Sequence, residues 1–567
     1  MIGNRIKKLR NLIKINNLDA YIIPKNDENF SEYSFPNRLK TISGFSGSAG
    51  FAIVLNNINY LFVDGRYTTQ AKIESGKNFK ILEIPYTYPF QVLGKKKLNI
   101  GFDPNLFTDS ALKRYFNKYS NLVAVKKNLI DKIYLEKKSK IKNYFFHLNS
   151  KVTGETTQSK IKRLNKILKD QRVDNLFISA PENVAWLLNL RGSDNPNSPI
   201  PNSKLIVSKK KIILFSDLNK IKNVKKLKVY KKINFEKYTQ FSSSLNKLQG
   251  KNFCIDENTC SLNYKFLIKA KFKIIKNIDP CYELKAIKNK TELNNTKKAH
   301  IYDGIALTKF LYWMKNKKTN GVSELSAEKK LENFRKKNKN FLYPSFNTIA
   351  GTGPNGAIIH YRANKKTNRK IKKNDIFLCD SGGQYKFGTT DVTRTICFTN
   401  QNKKIKNIFT RVLKGHIAVA ITNLKKINKG YLIDKRARKS LREINLDYGH
   451  GTGHGVGFFL NVHEGPQSIS KYNKVKIKEG MILSNEPGYY KENKFGIRIE
   501  NLVYVAKKGS NLFFKNLTFA PIDIDLINFK LLNKIEKKYL TNYHSEIYYK
   551  ISKYLSNNEK KWIQKLI

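Results

Sequence analysis

The spacing of apolar residues at the start of the chain predicts a helix followed by a buried strand. Apolar side chains recur at helical intervals at Ile6, Leu9, Leu12 and Ile13. An uninterrupted apolar run then covers residues 20–23 and ends at Pro24. A short apolar run that ends at a proline is typical of a buried strand. The chain therefore opens with an α/β unit.

The same helix–strand pattern returns further along the chain. Residues 6–23 align without gaps on residues 161–178, and the identities include Ile6/Ile161, Leu9/Leu164 and Asp19/Asp174. Any two amphipathic helix–strand units look somewhat alike, so these identities are weak support when taken alone. Both copies, however, lead into a strand–turn–strand pattern, over residues 51–65 and 204–217. We predict two tandem α/β domains of one kind.

The pattern changes beyond residue 288. Two long helical patterns come first, over residues 292–316 and 323–338. After Pro344, short strands alternate with glycine-containing turns, and the last of them is an alternating strand over residues 496–506. The remaining residues predict a small helical extension. The expected fold class is α/β with an α+β third domain, and the expected domains are residues 1–150, 151–288, 289–510 and 511–567.

Length and composition exclude several classes of protein. A chain of 567 residues is too long for one ordinary core, and 40% hydrophobic residues exclude disorder throughout. No apolar run reaches the roughly 18 residues that a membrane helix needs, and the N-terminus does not have the pattern of a signal peptide. Five cysteines without a CxxC pair argue against a disulfide scaffold and a zinc ribbon. These features predict a cytoplasmic protein with no membrane partner.

The net charge of +65 raises the possibility of nucleic-acid binding. The chain contains 91 Lys and 17 Arg, and the lysines are spread over its whole length beside abundant Asn and Ile. A surface that binds phosphates usually concentrates Arg side chains on one element, because the guanidinium group matches phosphate geometry. We therefore favour a compositional origin for the charge over a specific nucleic-acid partner.

The region after Pro344 also contains the candidate chemistry. Five of the eight histidines lie between residues 360 and 463. Asp380 ends an apolar strand-like run, and Asp391 follows a glycine-containing turn before a second such run. Facing strands would bring these two carboxylates close enough to share a metal ion. Asp380 alone could be an ordinary turn residue, but that interpretation leaves Asp391 unexplained.

Three further side chains complete a candidate ligand set. Glu486 precedes a Pro-Gly turn, Glu500 lies in the alternating run that ends the domain, and His454 lies in the glycine-rich segment HGTGHGVG. Arg498 is two residues from Glu500 on the same face of the predicted strand, where it would orient carboxylates and offset their repulsion. Two Asp, two Glu and one His suit a pair of Mn, Co or Zn ions better than thiolate chemistry does.

The segments LCDSGGQYKFGTTDVTRT, HGTGHGVGFFLNVHEGP, SNEPGYY and FGIRIENLVYV closely resemble the pita-bread metallopeptidase family, to which creatinase, prolidase and methionine aminopeptidase belong. Within that family the chain is most similar to the long, three-domain Xaa-Pro aminopeptidases. The similarity also covers GFSGSAGFAIV and NVAWLLNLRGSD, which resemble the first and second of the two creatinase-like N-terminal domains. The resemblance implies that residues 289–510 form the pita-bread catalytic domain.

The resemblance also implies the roles of individual residues. It makes Asp380, Asp391, His454, Glu486 and Glu500 the ligands of two divalent metal ions, with Mn²⁺ expected first and Zn²⁺ or Co²⁺ as alternatives. Asp391 and Glu500 would bridge both ions, and Glu486 would also accept a proton from the hydroxide. The histidines that would bind substrate and assist catalysis are His360, His450 and His463. His416, by contrast, lies in a helical pattern and is expected only to pack.

The function implied is an aminopeptidase that releases the N-terminal residue from peptides with proline in second position, by attack of a hydroxide that bridges the two metal ions. A homodimer is also expected. One alternative is a prolidase, which cleaves Xaa-Pro dipeptides with the same ligands but generally lacks a duplicated N-terminal pair of domains. The other is a non-catalytic pita-bread protein that binds nucleic acid or protein, and only the charge of +65 favours it.

Overall fold

The computed structural model describes residues 2–33, 35–134, 144–317 and 321–567. These residues form two compact units. The first unit comprises the described residues within 1–150 and 155–282, and the second comprises those within 151–154 and 283–567. None of the helices in the described ranges is both long and apolar enough to cross a membrane.

The first unit contains two six-stranded sheets with the same topology. The strand order of the first sheet is β4-β3-β2-β1-β5-β6, with strands β1 (Ala20–Pro24), β2 (Phe51–Leu55), β3 (Asn59–Asp64), β4 (Lys80–Ile84), β5 (Leu98–Phe102) and β6 (Ser120–Ala124). A two-stranded sheet joins β7 (Phe146–His147) and β9 (Leu190–Arg191). The order of the second sheet is β12-β11-β10-β8-β13-β14, with strands β8 (Asn175–Ile178), β10 (Lys204–Ser208), β11 (Ile212–Phe215), β12 (Ile233–Glu236), β13 (Asn252–Ile255) and β14 (Lys273–Lys276).

The two sheets match strand by strand, in parallel and antiparallel pairing alike. β1 pairs antiparallel with β2 and parallel with β5, and β8 pairs antiparallel with β10 and parallel with β13. The predicted duplication of an α/β domain is therefore confirmed. The helices that precede or accompany these sheets are α1 (Ile2–Ile15), α2 (Arg38–Ser43), α3 (Thr68–Ser75), α4 (Pro89–Leu93), α5 (Asp109–Tyr115), α6 (Leu129–Ile133), α8 (Thr157–Asp170), α9 (Pro181–Leu187), α10 (Lys222–Lys225), α11 (Phe241–Asn246) and α12 (Leu262–Lys269). Two further helices, α7 (Ser150–Thr153) and α13 (Cys281–Ala286), span the sequence boundaries of the two units and lie mostly in the second.

The two repeated helices form for the reasons that their patterns indicated. α1 buries Ile6, Leu9 and Ile13 on one face, at the predicted spacing. α8 buries Leu164 on its apolar face, at the position that aligns with Leu9. The side chain of Thr156 accepts a hydrogen bond from the backbone of Ser159, which satisfies a free donor in the first turn of α8.

The second unit is an α+β structure. Its helices are α14 (Lys290–Lys317), α15 (Glu324–Lys336), α16 (Lys403–Ala420), α17 (Gly430–Arg442), α18 (Lys534–Ile551) and α19 (Asn557–Gln564). Its first two sheets have the orders β15-β18-β19 and β16-β17-β20, with strands β15 (Phe341–Pro344), β16 (Ile349–Thr352), β17 (Ile376–Ser381), β18 (Gly383–Tyr385), β19 (Gly388–Thr389) and β20 (Val392–Cys397).

The other two sheets lie later in the sequence. One has the order β22-β21-β23-β26-β27 and the other consists of β24 and β25. β27 continues the sheet of β26, so the first residues of the predicted extension pair with the last strand of the predicted catalytic domain. The strands are β21 (Gly453–Gly455), β22 (Glu464–Ile469), β23 (Ile482–Asn485), β24 (Gly488–Lys491), β25 (Phe495–Arg498), β26 (Asn501–Lys508) and β27 (Asn511–Asn516).

The prediction of one continuous strand over residues 496–506 is wrong. The structure has two strands there, β25 and β26, which are interrupted at residues 499 and 500. β25 pairs with β24, where Arg498 lies opposite Gly488, and β26 pairs with β23, where Asn501 lies opposite Asn485. The chain changes its partner strand at this interruption, so an alternating sequence pattern continues through a real break in the ladder.

Candidate metal centre

Neighbouring strands place Asp380 and Asp391 on one face of a sheet. β17 and β20 pair antiparallel, with Asp380 opposite Thr393. Asp391 directly precedes β20 and is two residues from Thr393, which is the spacing of one face of a strand. The hairpin of β18 and β19 occupies the sequence between the two aspartates. Both side chains are largely buried.

The interruption between β25 and β26 places Glu500 where it can meet Glu486. Glu486 directly follows β23, and Glu500 directly precedes β26, so both carboxylates lie where these paired strands end. The backbone N–H of Glu486 donates to Thr452 O at 2.8 Å, and that of Glu500 donates to Thr393 O at 3.1 Å. Both glutamates are thus held by their own backbone outside regular strands.

His454 of β21 faces these carboxylates. Its Nε2 lies 3.4 Å from Asp391 Oδ2 and 3.5 Å from Glu486 Oε1. Its Nδ1 lies 2.9 Å from the carbonyl oxygen of Gly455, which suits an Nδ1–H donor. This arrangement leaves Nε2 free to bind a metal ion, as in many metal-ligating histidines. Asp391, His454 and Glu500 each offer one ligand atom, and these atoms lie within 4.8 Å of one another.

The donor chemistry fits a cation. Asp380 Oδ1 is buried and accepts no hydrogen bond from any residue that the structure describes. Burial is the main cause that raises the pKa of Asp380 to about 7. The guanidinium of Arg498 lowers this pKa, whereas the carboxylates of Asp391 and Glu486 raise it further. Burial likewise raises the pKa of Glu500, again with help from neighbouring carboxylates. A cluster that is this costly to ionise would be stabilised by bound metal ions.

The surroundings of His454 likewise contain more negative than positive charge. Burial alone would lower the pKa of His454, but Asp391 and Glu486 raise it to about 9. The protein residues therefore favour an added positive charge at Nε2, and a divalent ion would supply that charge in place of a proton.

Arg498 lies beside the cluster of carboxylates. Its Nη2 donates to Asp380 Oδ2 at 2.7 Å, and its Nε donates to Thr393 Oγ1 at 3.1 Å. Thr393 Oγ1 in turn donates to Glu500 Oε2 at 2.8 Å. One buried guanidinium thus orients two of the carboxylates, the second of them through a threonine. No sequence pattern singles out Thr393, because its role depends on how β20 lies beside Arg498 and Glu500.

Tyr490 is another residue that the sequence analysis missed. Its hydroxyl accepts a hydrogen bond from Arg498 Nη1 at 2.5 Å and lies 2.9 Å from His450 Nε2. The residue belongs to the segment SNEPGYY, so its closeness to Glu486 in sequence was the available signal. Tyr490 connects the arginine that holds Asp380 to one of the three predicted substrate histidines.

The predicted accessory histidines lie around this centre. The ring of His463 packs edge-to-face on that of His454, with centroids 4.4 Å apart, and His463 is exposed. His450 contacts Tyr490, as described above. His360 follows Ile359, whose carbonyl accepts a 3.4 Å hydrogen bond from Arg498. All three therefore lie close to the centre in the chain or in space.

His416 has more contact with the site than its helical pattern suggested. It is fully buried in α16, and its Nδ1 lies 3.1 Å from the carbonyl oxygen of Asn485. The side chain of Asn485 donates to His416 O at 2.9 Å. His416 thus supports the end of β23, from which Glu486 projects.

Arg394 forms hydrogen bonds both to the backbone of Glu500 and to residues of the C-terminal region. This buried guanidinium donates to Glu500 O at 2.6 Å and to the carbonyl oxygens of Ala520 and Pro521. It also donates to the hydroxyl of Tyr543 at 2.7 Å. The backbone of Glu500 and the predicted extension thus share one side chain, whose partners lie far apart in sequence.

Family models match nearly the whole chain. Metallopeptidase family M24 matches residues 294–507, and the C-terminal region of the same peptidase family matches residues 510–566. Two models, each described as a creatinase/prolidase N-terminal domain, match residues 5–133 and 136–292.

Two relatives are similar to the chain over almost its whole length. A probable Xaa-Pro aminopeptidase P from Laccaria bicolor is 39% identical, over 99% of this chain and 92% of that protein. The X-prolyl aminopeptidase of Caenorhabditis elegans, described as a cytosolic enzyme with a di-nuclear active site, has a crystal structure that superposes with a TM-score of 0.93. It is 29% identical and covers 100% of this chain and 99% of its own.

The prolidase of Pyrococcus furiosus is a more distant match. It is 26% identical and has a TM-score of 0.51, and it covers 62% of this chain and 98% of its own. The full-length matches are thus to Xaa-Pro aminopeptidases, and the prolidase matches only part of the chain. The chain belongs to metallopeptidase family M24, in its group of Xaa-Pro aminopeptidases.

Proposed function

We propose that the protein is a dinuclear metalloaminopeptidase that removes the N-terminal residue from peptides with proline in second position. The observation that supports this most directly is the buried cluster of two Asp, two Glu and one His, with Asp380 Oδ1 unpaired among the described residues and His454 Nε2 directed at the carboxylates. The cluster lies in a chain that is similar to Xaa-Pro aminopeptidases along its whole length.

Five residues would hold the two metal ions. They are Asp380, Asp391, His454, Glu486 and Glu500, and Asp391 and Glu500 would bridge. The ligands are oxygen and imidazole groups, which suit Mn²⁺ first and Zn²⁺ or Co²⁺ as alternatives. When bound, ions of this kind would lower the pKa of a water molecule towards neutrality and polarise a substrate carbonyl.

Glu486 is the carboxylate best placed to move a proton. Its side chain is 18% exposed, against 5% for Asp391, and Ser484 Oγ donates to its Oε1 at 3.1 Å. We assign it the acceptance of the nucleophile's proton and the delivery of that proton to the leaving proline nitrogen. That nitrogen carries no N–H in the peptide, so an enzyme that needs an N–H contact there would not bind it well.

The accessory histidines would bind and orient the peptide. His463 is exposed and packs on His454, so its ring can reach a carbonyl bound beside the centre and stabilise its developing negative charge. His360 and His450 would contact the substrate from the side of Arg498. Arg498 itself holds Asp380 and stays protonated, because its pKa is raised well above its ordinary value by the neighbouring acidic groups, so it transfers no proton.

The organisation around this centre is part of the proposal. We assign residues 1–150 and 151–288 to the two creatinase-like domains, residues 289–510 to the catalytic domain and residues 511–567 to the C-terminal extension. We further propose a cytoplasmic homodimer. Five free and buried cysteines fit a reducing compartment, and the family resemblance is the basis for the dimer.

A comparison of two substrates tests the specificity. We expect efficient, metal-dependent cleavage of a Xaa-Pro-Xaa tripeptide with a free N-terminus, and at least tenfold weaker cleavage of a Xaa-Pro dipeptide. The reason is the duplicated N-terminal domain, because the prolidase described above matches only 62% of this chain. The measurement is kcat/KM for both peptides after loading with Mn²⁺, with the N-acetylated tripeptide as the control that should resist cleavage.

The opposite preference would contradict the aminopeptidase assignment. If the dipeptide were the better substrate, the protein would be a prolidase and the metal centre would still stand. If neither peptide were cleaved after loading with Mn²⁺, Co²⁺ or Zn²⁺, the enzymatic assignment itself would fail.

The net charge of +65 predicts a separate and non-specific behaviour. We expect weak binding to any nucleic acid, with an affinity that falls steeply with salt and does not depend on sequence, because counterion release supplies the free energy. Asp380→Asn should leave this affinity unchanged while it stops peptide cleavage. Fluorescence anisotropy with two unrelated duplexes at several salt concentrations measures it. Tight, sequence-selective binding at physiological salt without peptidase activity would instead support the binding-protein alternative.

A further inference from the structure

A second group of buried charges lies beside the metal centre. Lys288 Nζ is 2.5 Å from Glu464 Oε1, and Lys285 Nζ is 3.3 Å from Glu464 Oε2. The side chains of these three residues are at most 2% exposed. Two cations therefore face one carboxylate in the interior. A buried ion cluster adds little to the free energy of unfolding, because the desolvation of the charges offsets most of their attraction. The position of this cluster in the structure therefore suggests a role other than stability.

Glu464 begins the strand that adjoins two site histidines. It directly follows His463 and is the first residue of β22. It pairs with Gly455 of β21, the residue after His454, and the register shifts between His454 and Gly455. The carboxylate of Glu464 is thus attached to the backbone that orients both rings.

The same carboxylate supports the tight turn that leads into His463. The N–H of Gly457 donates to Asn461 O at 3.0 Å and closes the turn. A Cβ atom on Gly457 would lie only 2.9 Å from Glu464 Oε2, so the turn packs directly on this oxygen. On the other side, Gln384 donates to the carbonyl oxygen of Leu460 at 2.9 Å.

The two lysines come from a backbone segment that is anchored elsewhere. Lys288 N donates to Gly480 O at 3.0 Å, and Ile287 forms a β-bridge with Met481. The lysine side chains therefore extend from a fixed support towards β22. Burial would raise the pKa of Glu464, but Lys285 and Lys288 hold it below its ordinary value, so the carboxylate stays charged.

We propose that Lys285, Lys288 and Glu464 form a positioning cluster that fixes His463 against the bound peptide. This inference rests on the proposed function. His463 is exposed and directly precedes Glu464, and a stabilising donor must be held to about 0.5 Å to be effective, so the backbone around it must be restrained. The cluster supplies that restraint through the backbone of the adjacent residue. These three residues are positioning residues, because none of them contacts the reacting atoms.

A double-mutant cycle separates positioning from stability. The first variant combines Lys285→Met, Lys288→Met and Glu464→Leu, which replaces the whole cluster by apolar side chains of similar volume. Whole replacement of a buried ion cluster is tolerated far better than removal of one partner. His463→Ala is then introduced into the wild-type protein and into this variant. The measurements are kcat/KM on the Xaa-Pro-Xaa tripeptide, bound metal per chain and thermal unfolding.

We expect non-additive losses. His463→Ala should lower kcat/KM by about 100-fold in the wild-type protein, as the loss of one oxyanion donor does. The apolar variant should lose about 10- to 100-fold by itself, with its metal content unchanged. Adding His463→Ala to it should then cost less than about threefold, because the ring is already misplaced. A cluster that only stabilised the fold would leave the effect of His463→Ala at its full size.

Conservative variants decide the outcome if the apolar variant does not unfold cooperatively. Glu464→Asp keeps the charge and shortens the side chain by one methylene, and the same cycle with His463→Ala should again be non-additive. The matched control is Glu536→Asp, since Glu536 pairs with Lys414 at 2.7 Å between α18 and α16. In that background His463→Ala should keep its full effect.

Full activity of the apolar variant, or additive losses with His463→Ala in either background, would overturn the positioning role. That result differs from a failure of the proposed function. If the function were wrong, the wild-type protein itself would not cleave the tripeptide.

Discussion

Glu500→Ala is expected to lose bound metal and peptidase activity together. Glu500 is buried, and its ligand atom lies within 4.8 Å of those of Asp391 and His454, so its removal opens the centre of the cluster. Because a water molecule loses its proton near neutral pH only when metal ions are bound to it, activity should fall by several orders of magnitude. Asp391→Ala should behave in the same way. The measurements are metal content after desalting and turnover of a Xaa-Pro-Xaa tripeptide.

Two controls accompany this experiment. Glu492→Ala changes an exposed carboxylate of the same segment and should leave metal content and turnover intact. Chelation of the wild-type protein should abolish activity, and Mn²⁺ should restore it best among Mn²⁺, Zn²⁺ and Co²⁺. A Glu500→Ala or Asp391→Ala protein that kept two bound ions and full turnover would contradict the ligand assignment.

Arg498→Lys is expected to weaken metal binding by about 10- to 100-fold while the protein still folds. The guanidinium donates to Asp380, Thr393 and Tyr490 at the same time, over distances of 2.5–3.1 Å. A lysine keeps the charge but presents a single ammonium, which cannot reproduce this fork. Asp380 and Glu500 should therefore lose their orientation. Titration of the metal-free variant with Mn²⁺ measures the effect.

Arg38→Lys is the matched control for a buried arginine. Arg38 is 5% exposed and donates from two nitrogens to Asp131 in the first unit. Its replacement should lower thermal stability without a change in Mn²⁺ affinity. If Arg498→Lys bound Mn²⁺ as tightly as the wild-type protein, the role of Arg498 in orienting Asp380 would be wrong.

Local periodicity was enough to predict the duplicated N-terminal fold. The apolar positions Leu9 and Leu164 recur in both helices, and each helix leads into a central strand with the same pattern of partners. Such a pattern can be recognised from residues that are close in sequence, because a helix and a strand each bury one periodic set of side chains. The ligand candidates could be found in sequence for a related reason, since carboxylates are rare in apolar runs.

The same periodicity misled the prediction at Glu500. The alternating pattern over residues 496–506 is continuous, yet the structure breaks the strand at residues 499 and 500. The break exists because β25 and β26 have different partner strands, β24 and β23. The alternation of apolar and polar residues indicates only which face of a strand is buried. This pattern is the same whichever partner strand the residues pair with.

The sequence by itself therefore determined the α/β duplication, the family resemblance and the identity of the candidate ligands. Only the tertiary structure decided how those ligands are held. Arg394 donates hydrogen bonds to both Glu500 and Tyr543. Thr393 accepts a hydrogen bond from Arg498 and donates one to Glu500. Lys288 forms an ion pair with Glu464. Each of these contacts joins residues that are distant in the chain. Their side chains meet because strands and helices pack in one particular order, and the spacing of residues along a single element contains no information about that order.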